Sequence, residues 1–110
     1  MNNYKVEFLE EANLDLSRLN KSVKIQVLKG IKKVSKNPLP QSEGGYGKPL
    51  GNKFGLNLTN LLKIKFLDIG IRVVYKIERK NNVMNIIVIS AREDLIVYQE
   101  AFKRRLKYDI

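Results

Sequence analysis

The chain has 110 residues, of which 44% are hydrophobic and 8% aromatic, as is typical of one folded domain with a modest core. It contains no histidine and no cysteine, which excludes disulfides, thiolate metal sites, thiol catalysis and any acid–base pair or triad built on histidine. Its 21 lysines and arginines outnumber 11 acidic residues, and the net charge of +10 favours a polyanionic partner such as nucleic acid, an anionic membrane or an acidic protein.

The first third of the chain predicts one strand and two helices. Alternating residues in YKVEF indicate a short strand at residues 4–8. From Glu10 onward the apolar residues recur at helical spacing and predict an amphipathic helix. A second helix has Asn20 or Ser22 as its candidate N-cap and ends at Asn37, because a following proline disfavours helix. We expect the two helices to form an antiparallel hairpin.

Residues 38–60 contain all three prolines and five of the seven glycines of the chain. This composition predicts a loop, with at most a short strand at residues 54–58. A loop of this length is unusual inside a compact domain and is often functional.

The second half predicts three strands and a helix. Strands at residues 61–67, 71–79 and 83–91 are separated by short turns and should form an antiparallel meander. A helix follows, with Asp94 as its candidate N-cap. The expected fold is α+β in the order β-α-α-β-β-β-α, with residues 1–110 as a single domain and the helices on one face of a mainly antiparallel, twisted sheet.

Basic residues stand in the middle of the two best strands. Because side chains alternate along a strand, Lys63 and Lys65 point away from the apolar face of the first, and Arg72 and Lys76 do so in the next. Arg92 directly follows the third meander strand. A cluster of cations repels itself, which favours a bound anion over the alternative of an ordinary solvent-facing sheet.

Such a cluster has the groups needed to cleave RNA without histidine or a metal ion. Mutual repulsion lowers lysine pKa values, so one lysine could act as a general base. Guanidinium groups hold phosphate in two-point contacts and stabilise charge that develops on its oxygens. RNA supplies its own nucleophile, the 2′-hydroxyl, and an aromatic side chain could stack on an exposed base. These features alone do not identify a ribonuclease.

The order and spacing of these residues carry a family resemblance that covers nearly the whole chain. Residues 61–77 and 88–105 contain a Lys-x-Lys strand, an arginine before Val-Val-Tyr, and an arginine six positions before a helical tyrosine. In this pattern and in the opening strand and helices, the chain resembles the RelE branch of the RelE/ParE superfamily of bacterial toxins. The resemblance implies the toxin of a type II toxin–antitoxin system.

The resemblance further implies an endoribonuclease that cuts mRNA in the ribosomal A site and inhibits translation, with no metal and no cofactor. The 2′-hydroxyl would attack the adjacent phosphate to leave a 2′,3′-cyclic phosphate and a 5′-hydroxyl. Lys63 or Lys65 would be the general base, and the other would stabilise the phosphate. Arg72 would hold the scissile phosphate, and Arg92 would stabilise or protonate the leaving oxygen.

Tyr98 would stack on or orient a base of the codon, although its position on an apolar helical stripe is equally typical of a core residue. Lys48, Lys53 and Lys76 are candidate RNA-binding residues. The chain departs from the family pattern at Ala91, where relatives often carry a basic residue, and in a longer segment at residues 47–60.

The implied partners are an acidic antitoxin, the ribosome and mRNA, and operator DNA for the toxin–antitoxin complex. No apolar run approaches the ~20 residues that span a bilayer, so we expect a cytoplasmic protein without a membrane partner. Two alternatives remain at this point: a ParE-like inhibitor of DNA gyrase, which shares the fold, and a non-catalytic nucleic-acid-binding module.

Overall fold

The computed structural model describes residues 4–110, which form three α-helices and five strands, with one turn of 3-10 helix at Gln41–Glu43. In chain order the elements are β1 (Lys5–Phe8), α1 (Glu10–Ser17), α2 (Lys21–Ser35), β2 (Lys48–Lys53), β3 (Leu56–Phe66), β4 (Ile71–Glu78), β5 (Val83–Ser90) and α3 (Asp94–Tyr108). The α+β class and the order of the predicted elements are confirmed, and one strand is added. None of the helices in the described part of the chain is long and apolar enough to cross a membrane.

The five strands form one mixed sheet in the order β1-β5-β4-β3-β2. The strands from β2 to β5 pair as antiparallel neighbours, and β1 pairs in parallel with β5. Residues 18–20 connect α1 to α2, and the predicted N-cap at Asn20 is confirmed, because its side chain accepts a hydrogen bond of 3.0 Å from the backbone N–H of Val23.

The prediction of a loop over residues 38–60 is wrong for its second half, which forms β2 and the start of β3. The strands are joined by a two-residue turn in which Phe54 and Gly55 both have positive φ, at 53° and 74°. Pro49 and Gly51 flank a break in the pairing register. Proline and glycine have low strand propensity, so the sequence alone does not indicate a strand here. An edge strand tolerates them because the backbone groups on its outer side have no neighbouring strand to pair with.

The helices cover both faces of the sheet, so the prediction that they share one face is wrong. Helices α1 and α2 pack on one face with Ile71, Val73 and Tyr75, while α3 packs on the other against Val74. The central strands of the sheet are therefore buried on both faces. An almost continuous run of apolar residues, as in β5, is typical of such strands. A register irregularity at Val74 accompanies this two-sided burial.

Arg104 anchors α3 across the sheet to α1. Its Nη1 atom donates to Oδ2 of Asp15 at 2.7 Å and to the backbone carbonyl of Ile87 at 2.8 Å, and its Nε donates to Glu100 at 2.8 Å. The Asp15 carboxylate also accepts from the backbone N–H of Ile89 at 3.0 Å. Because the Arg104 side chain is only 8% exposed, this network sets where α3 crosses the sheet, and therefore where its first residues lie.

Candidate functional site

The predicted cations meet where the N-terminal end of α3 crosses β3 and β4. Lys65 on β3 is the cross-strand partner of Arg72 on β4, and Arg72 is paired in turn with Ser90 on β5. Arg92 follows β5 after one intervening residue, and its backbone N–H donates to the Ser90 hydroxyl at 3.0 Å. Antiparallel pairing therefore brings together residues that are far apart in the chain.

Asp94, the first residue of α3, is the acidic member of the cluster. Its carboxylate accepts hydrogen bonds from Nζ of Lys65 at 3.0 Å and from Nε of Arg72. Burial by itself would raise the pKa of Asp94, but these two cations outweigh it and hold the pKa below its ordinary value. The predicted N-cap role is wrong: Glu93 occupies that position and makes no side-chain cap hydrogen bond. Asp94 is the first residue of the helix, and its carboxylate contacts the cations of the sheet.

Lys63 differs electrostatically from Lys65. Its Nζ lies over the ring of Tyr98, 5.9 Å from the ring centroid. Partial burial, followed by repulsion from Lys65 and from Lys53 and Lys48 on β2, lowers the pKa of Lys63, and attraction by Asp94 only partly opposes this shift. The surroundings of Lys63 therefore increase the fraction of its neutral form at a given pH.

Arg92 presents an exposed guanidinium group beside the cluster. Its backbone carbonyl accepts a hydrogen bond of 2.9 Å from Nη1 of Arg72, which fixes the start of the turn before α3. Its guanidinium has no hydrogen-bond partner among residues 4–110. The group is thus free to contact an anion without breaking an existing bond.

Tyr98 is buried in the core between the sheet and α3, with 1% of its surface exposed. Its hydroxyl has no hydrogen-bond partner within the described residues, and burial, with the charge of Asp94, raises its pKa to about 12. The ring of Phe54, from the β2–β3 turn, covers it at a centroid distance of 6.1 Å. Phe54 is itself 60% exposed, so the aromatic surface that faces solvent at the site belongs to Phe54.

The contributions of Phe54 and Asp94 to the site were not predicted from the sequence. An aromatic residue followed by glycine, in a segment otherwise rich in turn-forming residues, was the available signal for Phe54. The position of Asp94 at the start of a helix was predicted from the sequence. No local pattern indicates that its carboxylate contacts Lys65, which lies on a strand 29 residues earlier in the chain.

The three candidate RNA-binding lysines fall into two groups. Lys48 is the cross-strand partner of Lys63, and both Lys48 and Lys53 influence the pKa of Lys63 through their charges. Lys76 instead donates to the carbonyl of Ile110 at 3.3 Å and lines a separate cavity of about 490 Å³. The structure therefore brings Lys48 and Lys53 to the cluster and separates Lys76 from it.

The arrangement as a whole can bind and polarise a phosphate. Lys65 and Arg72 contact the Asp94 carboxylate, and Lys63 and Arg92 lie beside them, so the cluster has a net positive charge. Partial burial strengthens its electrostatic interactions with a bound anion relative to those in bulk water. Within residues 4–110, no group of three or more acidic side chains could hold a metal ion.

The structure is similar to solved bacterial toxins over nearly its whole length. A mutant of the Escherichia coli toxin RelE in the free state is 26% identical, with a TM-score of 0.71, and the match covers 94% of this chain and 98% of that chain. The same mutant toxin in complex with a peptide of the antitoxin RelB is 25% identical, with a TM-score of 0.68 and coverage of 91% and 95%. The free toxin has the same order of elements as this chain.

A more distant structure shares the fold. The toxin–antitoxin complex RelBE2 from Mycobacterium tuberculosis contains a chain that is 24% identical, with a TM-score of 0.68, and the match covers 86% of this chain and 97% of that chain. No protein-family model matches the present sequence, and no curated protein matches it.

Proposed function

Because the chain belongs to the RelE-like toxin family, we propose that it is the toxin of a type II toxin–antitoxin system that cleaves mRNA in the ribosomal A site. The observation that carries this proposal is the convergence of Lys63, Lys65, Arg72 and Arg92 at the N-terminal end of α3. This set supplies a base and charge-stabilising groups without histidine or a metal ion.

Lys63 acts as the general base in this proposal. Its lowered pKa increases the neutral fraction of Lys63 at a given pH. Lys65, in contrast, is ion-paired with the Asp94 carboxylate at 3.0 Å. Neutral Lys63 removes the proton of the 2′-hydroxyl, and the 2′-oxygen then forms a bond to phosphorus. The bond from phosphorus to the 5′-oxygen breaks, which leaves a 2′,3′-cyclic phosphate.

Lys65 and Arg72 hold the scissile phosphate. Their shared contact with the Asp94 carboxylate supports this assignment, because a phosphate that replaces the carboxylate there would meet both cations at once. Arg92 stabilises the charge on the leaving 5′-oxygen, which takes a proton from solvent water and ends as a 5′-hydroxyl. Charge stabilisation suits Arg92 better than proton donation, because the pKa of arginine lies above ~12.

An acidic antitoxin is the proposed protein partner. The net charge of +10 favours association with an acidic, partly disordered segment that folds on binding. The similar E. coli toxin RelE, solved with a peptide of its antitoxin, supports a partner of this kind. We extend the proposal to action in the cytoplasm, where ribosomes and mRNA are found, and to operator binding by the toxin–antitoxin complex.

The proposal is tested by mapping mRNA cleavage by primer extension on programmed ribosomes. The unaltered chain should cut within the A-site codon only when ribosomes are present. Arg92→Ala should lose this cleavage while Arg79→Ala keeps it, because Arg79 is an exposed arginine paired with Glu43 at 2.7 Å, outside the cluster.

An uncut message would contradict the proposed activity. DNA cleavage by gyrase in the presence of the same protein would then favour the ParE-like alternative. Binding of RNA without cleavage of either nucleic acid would favour the non-catalytic module.

A further inference from the structure

We propose that Phe54, at the tip of the β2–β3 hairpin, stacks on a nucleobase of the mRNA next to the scissile phosphate. The inference rests on the proposed nuclease function and adds to it a residue that positions the substrate. The ligand is an unpaired base of single-stranded RNA, held by its π-face.

The backbone conformation at Phe54 does not favour an aromatic residue, so the requirements of the turn do not explain its presence. Phe54 has a φ of 53° in a two-residue hairpin turn whose positions favour asparagine, aspartate or glycine. A bulky side chain is unfavourable in this left-handed conformation. Phe54 is 60% exposed, so burial of its side chain offsets only part of this unfavourable backbone energy. A contact between the exposed ring and a ligand would explain why phenylalanine occupies this position.

Phe54 lies where a base adjoining a phosphate bound at the cluster would meet its ring. Its ring packs on Tyr98 at 6.1 Å between centroids, and the same Tyr98 ring lies 5.9 Å from Nζ of Lys63. Lys53 precedes Phe54 and is close enough to affect the pKa of Lys63. An aromatic platform next to cations that track the backbone is the usual architecture for binding single-stranded nucleic acid.

The burial of Tyr98 leaves Phe54 as the aromatic surface available to a base. Tyr98 is covered by Phe54 and is 1% exposed, so a base approaching the cluster meets the outer face of Phe54 first. A base stacked on Phe54 would then adjoin the Phe54–Tyr98 pair, whose rings are tilted by 35° to each other, close to Lys63. Such stacking tolerates any base, because every base has a π-face.

The test compares single-turnover cleavage of mRNA on programmed ribosomes by the unaltered chain, Phe54→Asn and Phe54→Trp. Phe54→Asn creates the Asn-Gly pair that the turn prefers, so its thermal unfolding midpoint should be unchanged or higher. Its cleavage rate should nevertheless fall by about 5- to 150-fold, the range for loss of one base–aromatic stack. Phe54→Trp should stay within about threefold of the unaltered chain, since it keeps a stacking ring.

A second arm removes the base instead of the ring. An abasic nucleotide at the stacked position of the A-site codon should slow the unaltered chain about as much as Phe54→Asn does. The two changes together should cost no more than either one alone, because both remove the same contact. The matched control is Tyr46→Asn, which alters another aromatic residue, 50% exposed, packed on Lys33 of α2.

Each unexpected result of this experiment contradicts a different part of the proposal. Full cleavage by Phe54→Asn would overturn the stacking role and leave the nuclease function intact. The stacking role would also be overturned if, with the abasic nucleotide at each codon position in turn, the two changes lowered the cleavage rate by independent factors that multiply when combined. Absence of cleavage by the unaltered chain would overturn the proposed function and the stacking role together.

Discussion

The Nζ atom of Lys65 lies 3.0 Å from Oδ2 of Asp94, so the first residue of α3 partly neutralises the cationic cluster of the sheet. The second carboxylate oxygen accepts from Arg72, and both cations therefore depend on one acid. Helix α3 is thus attached to β3 and β4 at its N-terminal end by charge, and to α1 near its C-terminal end by Arg104.

Acidification should weaken the contact at Asp94. The pKa of Asp94 is lower in the folded chain than in the unfolded chain, so its contribution to stability is complete above the ordinary carboxyl value of about 4 and is lost as the pH falls through the lowered value. Asp94→Asn should therefore reduce the free energy of unfolding at pH 7, and the difference from the unaltered chain should shrink at acidic pH. Chemical denaturation at several pH values measures this.

Asp68→Asn is the control for Asp94→Asn, because Asp68 is an exposed carboxylate in the β3–β4 turn. This substitution should change stability little at any pH. A deficit for Asp94→Asn that stays constant from pH 7 to about pH 3 would show that the carboxylate charge is not what matters.

Replacing each of the two site lysines by arginine should affect the cleavage rate differently. Lys63→Arg keeps a positive charge but removes the neutral amine, so cleavage should fall by about 10²-fold or more if Lys63 is the base. Lys65→Arg retains a cation beside Asp94 and should lose less than about tenfold. Single-turnover cleavage rates on programmed ribosomes distinguish the two variants.

The pH profile provides a second test of Lys63. A base must be neutral to act, so the rate should rise with pH and level off at the pKa of Lys63, which burial and neighbouring lysines set below the ordinary value. In Lys63→Arg the rise attributable to this group should disappear. Equal losses for both arginine variants with an unchanged profile would assign Lys63 to charge stabilisation alone.

The Tyr98 hydroxyl should be dispensable for folding. It is buried without a hydrogen-bond partner among residues 4–110, so Tyr98→Phe should leave the free energy of unfolding unchanged or raise it by about 1 kcal/mol. Tyr75→Phe is the matched comparison, because the buried Tyr75 hydroxyl donates to the carbonyl of Pro38 at 2.7 Å and its loss should cost about 1–3 kcal/mol. Urea denaturation of both variants measures the difference, and a larger loss for Tyr98→Phe would contradict the described packing.

Breaking the buried ion pair of α3 should be severe. Arg104 and Asp15 are 8% and 10% exposed, so Arg104→Ala leaves a buried carboxylate without its cation and should cost about 3–5 kcal/mol. Lys103→Ala, at an exposed neighbouring position, should be close to neutral. Denaturation of Arg104→Ala, Asp15→Ala and the double variant gives the coupling energy, which would be near zero if the pair were unimportant.

Much of the fold and part of the site were predictable. The strand of Lys63 and Lys65 and that of Arg72 followed from alternation of apolar and basic residues, and the N-cap at Asn20 followed from its position before a helical pattern. The strand β2 was not predictable, because its proline and glycines resemble a loop and its strand geometry depends on pairing with β3. The side of the sheet that α3 covers depended likewise on packing against β4 and β5.

The sequence by itself determined the order of the predicted helices and strands and the placement of cations along β3 and β4, because periodicity and short turns act between residues close together in the chain. The tertiary structure alone decided that Asp94 pairs with Lys65 and that Phe54 covers Tyr98. These contacts join segments 29 or more residues apart. Their geometry is set by strand register and by the crossing of α3, neither of which any local pattern encodes.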